Sequence, residues 1–464
     1  MSLDTALSGA LTSLKTVQQQ IALVSNNINN ANTPGYTRKT ANLSPVGDGV
    51  DLVGVKISDY ARASDATLLK QLNAASAENG FKSAQTQYLN QVQDILGSSS
   101  DSVKLTGHLS AFASAWRQLQ AEPENSALQN QVVTTGNSFA GTVRTISGKI
   151  EQLDRAIASD ISTAVSDLNN ALQDVEKFNA QIAQALASAT PTGDYEDQRD
   201  TALQKIAQYV DIRVLQRNNG QVAVYTPYGF PLLDGQAQQF SFSGNNITVV
   251  GSTTVVNDNL QNGRLEALLA LRTDSAPAAA SPDPTQEIIR KLRNQLDTLV
   301  SGFLNATTAP DSFAQAYNSA TTATGELASG FFTGSNRTDI AVNAALLSGA
   351  STVKQLAAGG VATAMGNDTR SFTAYGQTVT NQSYTDYAQE IIGVWQTGAK
   401  RAADEAEVAQ SQSAYFKKLF TDQSAVNVDA ELINLQTLQR SYQAAARLVS
   451  VIQQMNQSII DMVR

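Results

Sequence analysis

Along the first thirty residues the apolar positions fall at Leu3, Leu7, Ala10, Leu14, Val17, Ile21, Val24 and Ile28, so that steps of four and three alternate without a break. Such a heptad seam predicts an N-terminal helix packed on another helix. Leu11 and Leu23 lie beside the seam and widen it. The same period returns at the other end, at Leu435, Leu438, Tyr442, Ala445, Val449, Ile452, Asn456, Ile459 and Val463. Asn456 is the one polar residue there, the kind of seam position that fixes register at some cost in stability. Each stripe needs a partner, and the entropy of ordering two helices exceeds what one shared seam returns, so both ends are expected to order mainly on assembly.

Between the ends the pattern changes character several times. Residues 38–59 hold Pro45 and three glycines and alternate through VDLVGVKI, which predicts extended or hairpin structure. Helical spacing follows over 64–96, over 105–120 and over a Gly- and Pro-poor run from 127 to about 189. That last run carries Ile146, Ile150, Leu153, Ile157, Ile161, Leu168, Leu172, Val175, Ile182 and Leu186, and predicts a rod rather than a globule. DIRVLQR, QVAVYT, QFSFSG and ITVVG then form a strand-rich stretch broken by Asn-rich turns. GRLEALLALRT returns to helix, SAPAAASPDP at 275–284 has linker composition, and 285–305 is helical. Residues 306–380, rich in Ala, Thr, Gly and Ser, carry no clear period, whereas 384–420 and 428 to the end are helical.

The fold class is therefore mainly α with β-rich insertions: a long helical bundle or coiled coil formed by the N- and C-terminal segments, with strand-rich outer modules. We expect residues 1–60 and 424–464 to form inner-core terminal helices, 61–190 and 285–423 a helical shaft with 306–380 as a weakly patterned insertion, and 191–284 a β-containing outer module.

Composition narrows the chemistry. The chain has 464 residues, a net charge of −9 and no clustered basic face, which argues against nucleic-acid and anionic-membrane partners. With no cysteine and one histidine, His108 in an apolar helical context, thiol nucleophiles, zinc-thiolate sites and His-based metal clusters have no residues to use. No apolar run is long enough to cross a bilayer, and the N-terminus lacks the basic and apolar regions of a cleaved signal peptide. The acidic run GDYEDQRD, with Asp194, Glu196, Asp197 and Asp200, does not have EF-hand spacing and is read as a helix start: Asp194 as N-cap, acids in the first turn, and Arg199 paired with Glu196. GDGVDLVG lacks the spacing of a phosphate loop. No catalytic, cofactor-binding or metal residue is assigned.

One stretch stands apart. SNNINNANTPGYTRKT, residues 25–40, places a cluster of asparagines at the end of an apolar helix and stops it with Asn32, Thr33, Pro34, Gly35 and Tyr36. Asparagines satisfy backbone groups locally and leave a helix readily, Pro34 ends it, and Gly35 permits the reversal, so the motif reads as a joint. Tyr36 is placed either to anchor that turn against a neighbour or to pack as an ordinary aromatic.

This stretch resembles the signature of bacterial flagellar axial proteins. Taken with DQRDTALQKIAQYVDIRVLQRNNGQVAVYTPYGFPLLDG, GRLEALLALR, GFF at 330–332 and the C-terminal SAVNVDAELINLQTLQRSYQAAARLVSVIQQMNQSII, it is similar to the hook-associated branch of that family. The resemblance implies a non-enzymatic structural component at the hook–filament junction, without cofactors and without membrane insertion. It implies an extracellular location in the flagellum, reached through the type III export apparatus without a cleaved signal. The implied partners are the hook protein, the second junction protein (hook-associated protein 3), further copies of the chain and, before export, a flagellar export chaperone. It also implies that the paired terminal helices form an inner core with Leu3, Leu7, Leu14, Val17, Ile21, Val24, Ile28, Leu435, Leu438, Tyr442, Val449, Ile452, Asn456, Ile459 and Val463 as the assembly interface. Two features depart from the pattern: FLNATTAPDSFAQAYNSATTATGELASGFF lacks the usual His-containing block, and the chain is shorter than the longest members, so an outermost domain is expected to be reduced or missing. A hook or rod protein, and a secreted adhesin or enzyme domain carried on an axial scaffold, are the alternatives.

Overall fold

A computed structural model describes residues 3–46, 54–97, 104–188, 190–272, 283, 285–305 and 311–463. The linker composition at 275–284, apart from Asp283, and all but the last residue of the GDGVDLVG run lie outside the described residues.

The N-terminal helix α1 (Leu3–Asn29) leads through the Thr-Pro-Gly turn into a two-stranded antiparallel hairpin of β1 (Lys39–Val46) and β2 (Gly54–Arg62). Then come α2 (Ala66–Leu96), capped by Asp65, α3 (Leu105–Ala121) and α4 (Ser126–Ala187). At 62 residues α4 spans about 93 Å at the standard helical rise. Asn125 starts it by accepting from the N–H groups of Ala127 and Leu128, and no proline or left-handed residue interrupts it before Ser188. Its apolar stripe is buried from Val132 to Ile182, whereas Leu186, in the same stripe, is half exposed.

Everything in the middle of the chain docks along this spine. The helix α5 (Gly193–Tyr209) packs on α4 and α2. It is followed by β3 (Arg213–Gln216), β4 (Val222–Tyr225), β5 (Pro231–Asp234) and β6 (Gln236–Ala237), an antiparallel sheet in that order, and by a hairpin of β7 (Phe240–Ser243) and β8 (Asn246–Val249). Two asparagines of α4 grip these strands by their backbones. Asn179 Nδ2 donates to Val222 O at 2.8 Å while its Oδ1 accepts from Val222 N at 3.0 Å. Asn169 does the same to Phe240, at 2.8 and 2.9 Å. Nearer the start of α4, α6 (Arg264–Arg272) and α7 (Ile288–Leu304) are tied to Glu151 and Asp154 by Arg272 and Arg293.

The weakly patterned region contains α8 (Phe313–Asn318), β9 (Phe332–Thr333), β10 (Ala341–Val342), α9 (Ala344–Leu347), α10 (Ala357–Gly366), β11 (Arg370–Ala374) and β12 (Gln377–Gln382). These short pieces surround an aromatic cluster in which Phe112 of α3, Phe139 of α4 and Phe303 of α7 meet Phe313, Phe331 and Phe332; Phe139 and Phe303 lie 4.9 Å apart, centroid to centroid. The order here comes from long-range aromatic packing rather than local periodicity. The chain returns through α11 (Tyr384–Ser424), which runs antiparallel to α2, with Phe420 against Leu68 and Leu72 at one end and Thr86 bonded to Ala402 O further up. It ends in α12 (Val428–Val463), packed along α1.

Candidate functional site: the joint and the terminal helix pair

The heptad stripes of both ends lie at the α1–α12 contact. On α1, Val24 is buried and Leu7, Ala10, Leu14, Val17, Ile21 and Ile28 are half-buried; on α12, Ile452 is buried and Leu435, Leu438, Tyr442, Ala445, Val449 and Asn456 are half-buried. Ile459 departs from the stripe at 43% exposure, and the side chains of Leu3 and Val463 lie outside the described residues. Another side of α1 meets the hairpin, where Thr16 Oγ1 donates to Val55 O at 2.6 Å. A second stripe on α12 was not visible in the seam: Leu448, Val451, Met455, Ile459 and Met462, in steps of three, four, four and three, are 43–79% exposed. Nothing among the described residues covers them.

The Asn-rich turn has a definite job. Asn27, at 1% exposure, grips the first strand as Asn169 and Asn179 grip theirs: Nδ2 donates to Lys39 O at 2.8 Å and Oδ1 accepts from Lys39 N at 3.1 Å. The Tyr36 hydroxyl donates to the same Oδ1 at 2.9 Å, and Lys39 Nζ lies 3.5 Å from the centroid of the Tyr36 ring. Within this chain Tyr36 is thus an internally packed aromatic. Burial pushes its phenol up, with the Lys39 ammonium opposing. Gly35 has φ +80°, and a Cβ there would sit 2.6 Å from Thr201 Oγ1, so the turn excludes a side chain for two separate reasons. Asn32, Thr33 and Pro34 are exposed, and Thr33 N–H donates to Asn30 O at 2.9 Å as the helix unwinds.

Beyond the turn lies a buried charge cluster built from three distant parts of the chain. Asp197 of α5, 7% exposed in its side chain, accepts from Thr37 N at 3.1 Å, Thr37 Oγ1 at 2.7 Å, Lys39 Nζ at 2.8 Å and Arg62 Nη1 at 2.8 Å. Arg62, at the end of β2, also reaches Asp200 at 2.9 Å and Glu196 at 2.6 Å, and Lys39 reaches the exposed Asp194 at 2.8 Å. Burial pulls the Lys39 ammonium down, but the carboxylates of Asp194 and Asp197 outweigh it and hold it above its ordinary value. Arg62 is shifted upward in the same way by Asp200, Asp197 and Glu196.

A helix does start here, with Asp194 and Glu196 in the first turn of α5, but the contacts correct two parts of the helix-start reading of GDYEDQRD. Thr192 stands at the N-cap of α5 in place of Asp194. Glu196 pairs with Arg62 rather than Arg199, and Arg199 turns inward to Gly220 O at 2.7 Å and Asn179 Oδ1 at 3.4 Å. The full cations of β1 and β2 attract the acids more strongly than a helix dipole does, so the run serves as a socket for the joint. On the far side, Arg38 N–H donates to Ser424 O at 2.8 Å and its Nε meets Glu431 Oε1, a residue 1% exposed, at 2.6 Å. The joint therefore binds α5, the end of α11 and the start of α12 together. Lys39, Arg62 and Glu431 were not singled out from the sequence, and Asp197 and Asp200 only as members of the acidic run. Their one signal was the density of charge around DQRD.

Comparison with known proteins places this geometry. The model of the flagellar hook-associated protein FlgK helical domain matches residues 89–332, just over half of the chain. The chain belongs to the flagellar hook-associated protein FlgK family. Its two ends match two further family models, flagella basal body rod protein over residues 3–37 and the flagellar basal body rod FlgEFG protein C-terminal segment over 420–462. Flagellar hook-associated protein 1 of Bacillus subtilis is 23% identical, the alignment covering 98% of this chain and 97% of that protein. The proteins of the same name from Salmonella typhimurium and Escherichia coli are 26% and 24% identical over half of this chain, and the matched part spans 43% and 44% of their length. The solved structure of the flagellar hook junction protein FlgK from Burkholderia pseudomallei aligns over 57% of this chain and 46% of that one, at 19% identity and a TM-score of 0.47. Family membership makes the chain a structural component of the flagellum at the hook–filament junction. Among the described residues no helix is long and apolar enough to cross a membrane.

Proposed function

We propose that the chain is a mechanical adaptor without catalytic activity, assembling through its terminal helices into a tubular tier between hook and filament. The observation that carries this is the uncovered stripe of Leu448, Val451, Met455, Ile459 and Met462, on the flank of α12 about 100° around from its seam with α1. A helix pair with one shared seam and one bare stripe is an incomplete bundle, and identical neighbours arranged head to tail complete it without a new kind of surface. In this reading the seam residues of α1 and α12 hold the pair together and the bare stripe meets the next copy. Residues 1–60 and 424–464 form the inner tier, 61–190 and 285–423 the shaft, and 191–284 the outer module. The joint at Asn32 to Tyr36 sets the angle between inner tier and shaft.

The proposed partners are the hook protein on one side, the second junction protein (hook-associated protein 3) on the other, and copies of the chain in between. Before that, an export chaperone would cover the bare stripe and the type III apparatus would deliver the chain outside the cell without cleavage. The test is the pair Leu448→Glu and Val451→Glu. The purified monomer should keep its helical content and unfolding midpoint, while cells should shed unpolymerised filament protein and lose motility. Normal filaments on cells carrying both substitutions would refute this use of the stripe.

A further inference from the structure

Arg199 of α5 is a buried cation held by neutral groups. It is 5% exposed, its Nη1 donates to Gly220 O at 2.7 Å and to Asn179 Oδ1 at 3.4 Å, and its Nε has no hydrogen-bond partner among the described residues. Burial pulls this guanidinium down, and the neighbouring Asp200 and Glu196 offset that only in part.

Those two carboxylates are engaged elsewhere. Arg62, at the end of β2, meets Glu196 Oε2 through Nε at 2.6 Å and Asp200 Oδ2 through Nη1 at 2.9 Å. The other oxygen of Glu196 accepts from Thr192 Oγ1 at 2.7 Å. Two cations, one on the hairpin of the joint and one facing the strand module, therefore share the same acids, and in the docked joint Arg62 has them. All four side chains line one groove of about 880 Å³ between α2, α5 and β3, which leaves space for a change of partner.

Glu196 lies three residues before Arg199, the spacing at which side chains of a helix meet. The pair that local spacing favours is the one that docking of the hairpin replaces. A Glu196 released by Arg62 would draw Arg199 back along α5, since a full negative charge attracts a buried guanidinium more strongly than a neutral carbonyl does. Arg199 would then let go of the end of the β3–β4 hairpin. Gly220 stands in that turn with φ +77°, and the Asn179 oxygen that Arg199 touches is the one that holds Val222 N–H at 3.0 Å.

We propose that Glu196 is a two-position switch that couples the strand module to the joint. With the joint docked, Glu196 belongs to Arg62 and Arg199 clamps the turn at Gly220. With the joint undocked, Glu196 takes Arg199 and the clamp opens. Because Oε1 stays with Thr192, one oxygen serves the two cations in turn. The coupling is reciprocal, so whatever fixes the strand module in its clamped form also favours docking. It is a property of the single chain and does not depend on how copies pack.

Amide exchange on the purified monomer tests this. Arg62→Met releases Glu196 while Asp197 keeps Thr37 and Lys39. Exchange at the Val222 amide should become about tenfold faster, the ratio given by loss of one hydrogen bond from a charged group. The Phe240 amide, held by Asn169 as Val222 is by Asn179, is the control and should not change. Adding Glu196→Gln removes the competing partner and should restore most of the protection at Val222, which a merely structural role of Arg62 does not predict. Arg62→Lys, which keeps a cation but cannot serve Glu196 and both aspartates at once, should give the same pattern with a smaller rise, and it replaces the methionine variant if that one does not fold. Unchanged exchange at Val222, equal rises at Val222 and Phe240, or a rise at Val222 that persists after Glu196→Gln would each overturn the proposal.

Discussion

Replacing Asp197 by alanine tests the joint most directly. Asp197 is buried and accepts four hydrogen bonds, two from Thr37 and one each from Lys39 and Arg62. Its removal leaves two cations, 9% and 14% exposed, without a shared partner. Breaking a buried pair from one side costs about 3 to 5 kcal/mol. Lys39 keeps the exposed Asp194, and Arg62 keeps Glu196 and Asp200, so the low end of that range, about 3 kcal/mol, applies. The readout is local. The Thr37 N–H donates to Asp197 directly, and about 3 kcal/mol corresponds to roughly 100-fold faster amide exchange there. The Lys39 amide, held by Asn27, should follow if turn and strand undock together. Asp194→Ala is the control: that carboxylate is 71% exposed, and an exposed pair contributes about 1 kcal/mol or less. Equal effects of the two substitutions, or an unchanged Thr37 amide in Asp197→Ala, would refute the claim that buried charge holds the joint.

Further expectations concern the turn, the pH response and the core. Gly35→Ala should destabilise by about 1 to 2 kcal/mol in denaturant titrations, and adding Thr201→Ala should recover the steric part but not the part due to positive φ. Glu151 is held below its usual value, chiefly by its bond to Arg293 with help from Arg337 and against the effect of burial. A depressed acid contributes stability that is present above the unfolded pKa near 4.3 and lost as pH falls through the folded value, so melting temperature should drop below about pH 4 less steeply in Glu151→Gln. Lys39 is shifted the other way: its contribution is intact up to the unfolded pKa near 10.4 and is lost at higher pH, which Lys39→Met should abolish as an alkaline step in amide exchange at Thr37. Phe331→Ala, in the middle of the aromatic cluster, should cost about 3 to 5 kcal/mol and be measurable as a lowered unfolding midpoint.

The terminal helices, the hairpin and the strand module were legible because their signals are local: a period of three and four, a period of two, and turn residues at the breaks. The 306–380 region was not, because its elements are too short to show a period and are organised by Phe112, Phe139 and Phe303 from elsewhere in the chain. The joint falls between these cases. Its turn chemistry could be read from Pro34 and Gly35, but the socket could not, since Asp197 meets Thr37 across 160 residues of sequence. The family resemblance pointed to the DQRD run without saying what it holds. A run of acids at a helix start has a cheap local explanation, and only the fold reveals that cations have been brought to it. The bare stripe on α12 is masked in the sequence for the opposite reason: it runs one position from the stronger seam on the same helix and shares Ile459 with it.

The unbroken course of α4 has one more consequence. Its successive turns receive the aromatic cluster, then the arginines of α6 and α7, then β7, then β4, like marks on a ruler. Inserting one residue midway would swing every later mark by about 100° around the axis and shift it about 1.5 Å along it. The strand module and the aromatic cluster would then face different sides of the rod. Length changes in this helix should therefore be tolerated only in steps close to a whole number of turns.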